Sequence, residues 1–276
     1  MKTILAVANE TIGGKQIIEL ITEKAGDGKA RLVICVPRTQ PNHGNVIYDD
    51  AVYDAARVRV DLARTFLRTV GIEAIGEVGD PDPYSATMDA VAEYHPDEII
   101  ISTKPATSSG WLKRDLIERI QDASGLPVQH IVTDVDTEGI GFGVTLVVAN
   151  RTAAADELLT ELKKKAGSER HVFVVVVPQE GGEGTAARRA RARLVQLVDR
   201  LRAADLLAAG MIADPDPYTA TMNAMQFFHV EDIVISTLPA TRSGWLRADL
   251  IQRVTNATGK PVTHIEATPA GSPAAA

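Results

Sequence analysis

Short apolar runs alternate along the chain with longer stretches whose apolar residues recur every three or four positions. In the first half the runs fall at Thr3–Ala8, Arg31–Val36, Glu73–Val78, Glu98–Ser102 and Val128–Thr133. The periodic stretches near Gly14–Ala25, Asp50–Val70, Tyr84–Tyr94 and Leu112–Ala123 predict amphipathic helices. Runs such as LVICV and EIIIS show no polar alternation, so both of their faces are covered, as in a parallel sheet between helix layers. Strands and helices that alternate in this way, joined by right-handed crossovers, predict a doubly wound α/β sheet.

The pattern occurs twice. DPDPYSATM (Asp80–Met88) returns as DPDPYTATM (Asp214–Met222), and the match continues without a gap to His130 and His264. About 30 of roughly 50 aligned positions are identical, far beyond chance. The front parts match more loosely, ILAVANET (Ile4–Thr11) with TLVVANRT (Thr145–Thr152) and VICVP with VVVVP. Residues 1–136 and 143–268 therefore read as two domains of one fold, joined by a short linker in DTEGIGFG. The end of the chain, 269–276, is small, Pro-containing and expected to be disordered. Pro83 and Pro217 suit the first position of a helix capped by Asp82 and Asp216, so the repeated DPDP is read as a structural turn.

Composition narrows the function. A net charge of −7 argues against non-specific nucleic-acid binding, which needs a basic surface. The single cysteine, Cys35, forms no internal bridge and reads as a small core residue in a reducing cytoplasm. The apolar run ILAVA breaks at Asn9-Glu10, too soon for a signal peptide, and VFVVVV (Val172–Val177) is far short of a membrane span. A cytoplasmic protein without a membrane partner is expected.

In doubly wound sheets ligands bind beyond the carboxyl ends of the strands, where the strand order reverses. The turns after the first and fourth strands should flank that crevice. They are VANET and STKPATSSGWL in the first copy, VANRT and STLPATRSGWL in the second. Ser102, Thr103 and Ser109, with Ser236, Thr237 and Ser243, supply hydroxyls there. Ser109 and Ser243 are placed to cap helices starting at Gly110 and Gly244, whose free amides attract an anion. Lys113 and Arg247 put positive charge in that first turn, and Asp115 and Asp249 oppose it. The competing reading is a self-capped structural turn with no ligand.

These same segments resemble the universal stress protein family in its tandem two-domain form. ILAVANET resembles the family's opening strand. GEVGDPDPYSATMDAVAEYHPDEIIIS looks like its Gly-Asp-Pro turn, third helix and fourth strand, and GLPVQHIV is similar to its closing strand. The wording also resembles an actinobacterial group with VANET, DEIVIST and SxWL elements. The resemblance implies two five-stranded, adenine nucleotide alpha hydrolase-like domains packed as a pseudo-twofold dimer, with their last strands paired antiparallel. A further homodimer is compatible with it. It implies a stress-response module, with ATP or AMP in each crevice and no metal. The contacts it implies come from Asn9, Glu10, Thr11 and Val36, and from Asn150, Thr152 and Val177, beside the hydroxyls already named. The family's Gly-x2-Gly-x9-Gly-Ser/Thr loop is missing, however. Its last pair falls on Arg114-Asp115 and Ala248-Asp249, and its nucleoside-binding acid on Asn9 and Asn150. Side chains where glycines should stand hold the backbone away from phosphate, so weak binding is expected, favouring a monophosphate over a triphosphate.

Trp111 and Trp245 read as anchors against the core or a domain interface, with base stacking as the alternative. One imidazole per domain, His130 and His264, makes no metal site. The arginines of AARRARARLVQLVDRLRAA read as a solvated face. Ser and Asp recur without a positioned base, so the chain is expected not to be an enzyme. The alternatives are a nucleotide-free interaction scaffold and, further off, a nucleotide-hydrolysing enzyme.

Overall fold

A computed structural model describes residues 1–28, 30–38, 49–105, 115–135, 137, 142–167, 171–180, 185–239, 243–247 and 249–267. The expected tail at 269–276 lies outside these residues. The chain divides into two compact units at Gly141–Phe142.

In unit 1 the elements follow as β1 (Lys2–Val7), α1 (Lys15–Ala25), β2 (Ala30–Pro37), α2 (Asp49–Thr69), β3 (Ala74–Gly79), α3 (Pro83–Tyr94), β4 (Glu98–Thr103), α4 (Leu116–Ser124) and β5 (Val128–Val132). Unit 2 continues with β6 (Gly143–Val148), α5 (Asp156–Ala166), β7 (His171–Pro178), α6 (Thr185–Arg202), β8 (Leu207–Ala213), α7 (Pro217–Phe227), β9 (Asp232–Thr237), α8 (Gly244–Arg247), α9 (Leu250–Thr258) and β10 (Val262–Glu266). Each unit holds one five-stranded parallel sheet, ordered β3-β2-β1-β4-β5 in the first and β8-β7-β6-β9-β10 in the second. The order reverses between β1 and β4, and between β6 and β9, which sets the crevice of each unit.

The unalternated strands are covered on both faces. In unit 1, Ile4, Ala6 and Ile34 pack against Ile17, Ile21, Val60 and Leu67 of α1 and α2. On the other face Leu5, Val7, Val33 and Ile99 pack against Ala86, Ala90, Leu116 and Ile120 of α3 and α4. Cys35 is buried in that second layer, and burial raises its thiol pKa far above the ordinary range. A thiol held neutral in this way is inert. Asp82 and Asp216 cap α3 and α7 by accepting from Ser85 N at 3.0 Å and Thr219 N at 2.9 Å. The repeated DPDP is thus a helix start, with Pro at its first turn in both units. Helices α3 and α4, and likewise α7 and α9, are joined by an arginine over a tyrosine ring, Arg119 on Tyr84 and Arg253 on Tyr218, at 4.2 and 4.1 Å.

The helix expected near Leu112–Ala123 falls partly outside the described residues. Residues 106–114 lie outside the described set, and α4 begins only at Leu116, after Asp115 at φ 48°. In unit 2 the same stretch is broken into α8 and α9 by Asp249 at φ 49°. A left-handed residue interrupts the helical ladder, and aspartate is among the few side chains that tolerate the conformation. Both aspartates are exposed.

Gly76 on β3 and Gly210 on β8 occupy equivalent places under the second long helix of each unit. A Cβ on Gly76 would meet side-chain atoms of Val60 and Arg64. On Gly210 it would fall on the Val175 carbonyl oxygen as well as on Leu194. Side chains can turn aside, but a carbonyl held in a ladder cannot. Gly210→Ala is therefore expected to lower stability by about 1–3 kcal/mol, and more than Gly76→Ala does, in urea denaturation of the two variants. An equal or smaller loss for Gly210→Ala would contradict the packing described.

Candidate functional site

In unit 2, Ala149-Asn150 follow β6 and Ser236-Thr237 end β9, and the two turns share a cavity of 340 Å³. It is lined by Asn150, Arg151, Thr152, Gln179, Glu180, Pro215, Ser236, Thr237, Leu238, Ser243, Gly244 and Trp245. Thr152 Oγ1 donates to the Ser236 carbonyl at 3.1 Å and ties the two loops together. Thr11 Oγ1 makes the same bond to the Ser102 carbonyl at 3.0 Å in unit 1. Tying is therefore the threonines' work and not that of the asparagines.

The asparagines are held by arginines from the second long helices. Arg59 Nη1 donates to Asn9 Oδ1 at 2.8 Å. Arg193 Nη1 donates to Asn150 Oδ1, and Asn150 Nδ2 donates to the Pro178 carbonyl at 3.0 Å. Arg59 is almost wholly buried, and desolvation pushes its guanidinium down to about 10, against the raising influence of Glu10. It stays charged at neutral pH. Arg188, Arg189, Arg191 and Arg202 of α6 are exposed, as a solvated basic face requires, while Arg193 and Arg200 are half-buried. Arg193 bonds into the crevice, Arg200 bonds the Ala154 carbonyl and Asp156, and Arg202 Nε donates to the Ala208 carbonyl at 2.9 Å. The heads of Arg200 and Arg202 reach backbone carbonyls, and that of Arg193 reaches side chains at the crevice.

Each crevice holds an internal counterion. In unit 1 Lys104 pairs with Glu10. In unit 2 Glu180 lies 2.7 Å from Arg151 and 3.2 Å from Arg193, and the Arg151 hydrogen bond leads in holding its carboxyl below the usual range. Two guanidiniums on one carboxylate leave positive charge over. The carboxylate in the cavity is Glu180, from the end of β7. Asp249, expected to oppose an anion there, is not among the lining residues.

Ser102, Thr103, Ser236, Thr237 and Ser243 are all buried, Ser243 directly before α8. Val36 and Val177 are fully buried in the sheet-to-helix core, and Val177 is not among the cavity's lining residues. Gln179, two residues on, lines it instead. Ser109, Lys113 and Trp111 lie outside the described residues, as does the side chain of Arg247, whose backbone belongs to α8. Trp245 is half-buried and lines the cavity.

The strands do bring a base to each threonine. His130 Nε2 lies 2.9 Å from Thr103 Oγ1, and His264 Nε2 lies 2.9 Å from Thr237 Oγ1. The Thr237 hydroxyl also lies within hydrogen-bond distance of the Leu238 carbonyl, at 2.9 Å. These pairs join neighbouring strands at the edge of each crevice, β4 to β5 and β9 to β10. Among the described residues there is no group of three or more His, Cys, Asp or Glu able to hold a metal, and no helix long and apolar enough to cross a membrane.

No family model and no curated protein matches the chain. Among solved structures it is similar to a universal stress protein family member from Burkholderia pseudomallei, at 18% identity and a TM-score of 0.36 over 47% of this chain and 95% of that one. It is similar over most of its length to a universal stress protein from Archaeoglobus fulgidus, at 16% identity and a TM-score of 0.35 over 96% of each chain. A third is a universal stress protein family protein from Arabidopsis thaliana with AMP bound, at 12% identity and a TM-score of 0.34 over 49% of this chain and 94% of that one. Likenesses at these values assign neither ligand nor activity.

Burial lowers the His130 pKa below that of a free imidazole. A base with a depressed folded-state pKa contributes stability above its unfolded pKa and loses it as the pH falls. Unit 1 is therefore expected to weaken as pH drops from about 8 to 5, and His130→Gln to flatten that part of the profile. An unchanged profile in the variant, followed by chemical denaturation, would remove His130 from this role.

Proposed function

We propose that the chain is a tandem, non-catalytic binding module of the universal stress type, which takes a small anion at the carboxyl ends of β1 and β4 or of β6 and β9. The observation that carries this reading is the 340 Å³ cavity at the β6/β9 reversal, where Asn150, Thr152, Ser236, Thr237 and Arg151 converge. Its volume is at the small end of the range for ligand pockets, about 300–1,000 Å³. A nucleoside monophosphate or a sulfate-sized anion suits it better than a triphosphate. Excess positive charge from Arg151 and Arg193 over Glu180 supplies the attraction.

A regulatory, stress-response role in the cytoplasm belongs to the same proposal, and the lone buried thiol of Cys35 suits a reducing compartment. One observation favours the nucleotide-free scaffold as a second reading. Both asparagines and both crevice carboxylates already have partners inside the chain.

Calorimetric titration with AMP, ATP and sulfate separates the two. The binding module is expected to take AMP more tightly than ATP. Glu180→Gln, which releases two guanidiniums, should tighten AMP about five-fold. Tighter binding of ATP than of AMP would sink the small-anion reading, and no heat with any of the three would favour the scaffold.

A further inference from the structure

The two crevices differ at one buried hydroxyl. In unit 1 Ser102 Oγ lies 3.2 Å from Thr133 Oγ1, so the two hydroxyls satisfy each other. The residue equivalent to Thr133 in unit 2 is Ala267, whose backbone N–H makes the same bond, to the Thr237 carbonyl at 2.9 Å, that Thr133 makes to Thr103 at 2.8 Å. Ser236 Oγ consequently has no hydrogen-bond partner among the described residues, although Ser236 is only 1% exposed. It lines the cavity.

The loss of the threonine is compensated in volume but not in polarity. Gly14, at the start of α1, has no room for a side chain, since a Cβ there would lie 2.5 Å from Thr133 Cγ2. The equivalent residue in unit 2 is Ala155, at the start of α5, and it is buried. A glycine–threonine pair in one unit thus becomes an alanine–alanine pair in the other. The methyl that left position 267 is returned at 155, and the hydroxyl is not returned. Buried hydroxyls are nearly always bonded, so an orphan on a residue that lines a polar cavity points to a partner from outside the chain.

We propose that the two crevices are unequal: that of unit 2 is the tighter site, and the Ser236 hydroxyl is a direct contact to its ligand, a hydroxyl-bearing anion of nucleoside monophosphate size. This rests on the binding reading above. Ser102 is closed to the same role by Thr133. Arg151 and Arg193, which share Glu180, provide the cationic side of the site.

The test is calorimetric titration of the full chain with AMP, with adenosine and inorganic phosphate as separate arms. The expected result is one dominant AMP site per chain. Ser236→Ala should weaken it about ten-fold, the worth of one ligand hydrogen bond. The paired change Ala155→Gly with Ala267→Thr, which rebuilds the unit 1 arrangement, should weaken it similarly. The reverse pair, Gly14→Ala with Thr133→Ala, frees Ser102 and should bring a second site to comparable affinity. Two equal sites in the unmodified chain, or one site indifferent to both unit 2 variants, overturns the inequality and leaves the binding reading standing. No heat with any arm overturns both.

Discussion

A buried guanidinium must find partners, and in this chain that requirement fixes the crevice. Arg59 is almost wholly out of water, on a helix that crosses the back of the sheet, and its head reaches the asparagine at the end of β1. Moving α2 would strand a charge in a low-dielectric region, which costs several kcal/mol or about that order. Helix, strand end and loop are therefore held as one piece. Arg193 repeats the contact in unit 2 with a less buried side chain. The threonine ties to β4 and β9 then fasten the opposite wall.

Around this shared frame the two units reach a similar charge by different residues. Unit 1 places an acid directly after its asparagine, Glu10, and neutralises it with Lys104 from the end of β4. Unit 2 has Arg151 where Glu10 stands and Leu238 where Lys104 stands, and draws its carboxylate, Glu180, from beyond β7. In both, two described cations face one acid. The distribution differs all the same, because the acid approaches from the β1 loop in one case and from the β7 end in the other.

The sheet was legible because its strands are unalternated apolar runs separated by periodic helices, and because the repeat doubles each signal. The capping aspartates were legible for a local reason, a cap three residues before the amide it binds. What escaped reading was long-range. Nothing near Arg59 or Arg193 in sequence announces an asparagine 50 or 43 positions away. The signal was present, since Arg59 and Arg193 are equivalent in the repeat, but in α6 it was submerged among other arginines. The Thr–His pairs were missed because they join adjacent parallel strands across a whole helix. The left-handed Asp115 and Asp249 were missed because a backbone conformation leaves no mark on an amphipathic pattern.

The exchange of Gly14 and Thr133 for Ala155 and Ala267 has a consequence for the history of such chains. A dimer of identical subunits carries every change twice, so its symmetry-related surfaces drift together. When the two copies are encoded in one polypeptide that constraint is lifted, and a compensated pair can settle in one half alone. The glycine–threonine pair and the alanine–alanine pair are alternative solutions to the same packing problem, preserved side by side. Duplication and fusion have here turned a symmetry into a freedom.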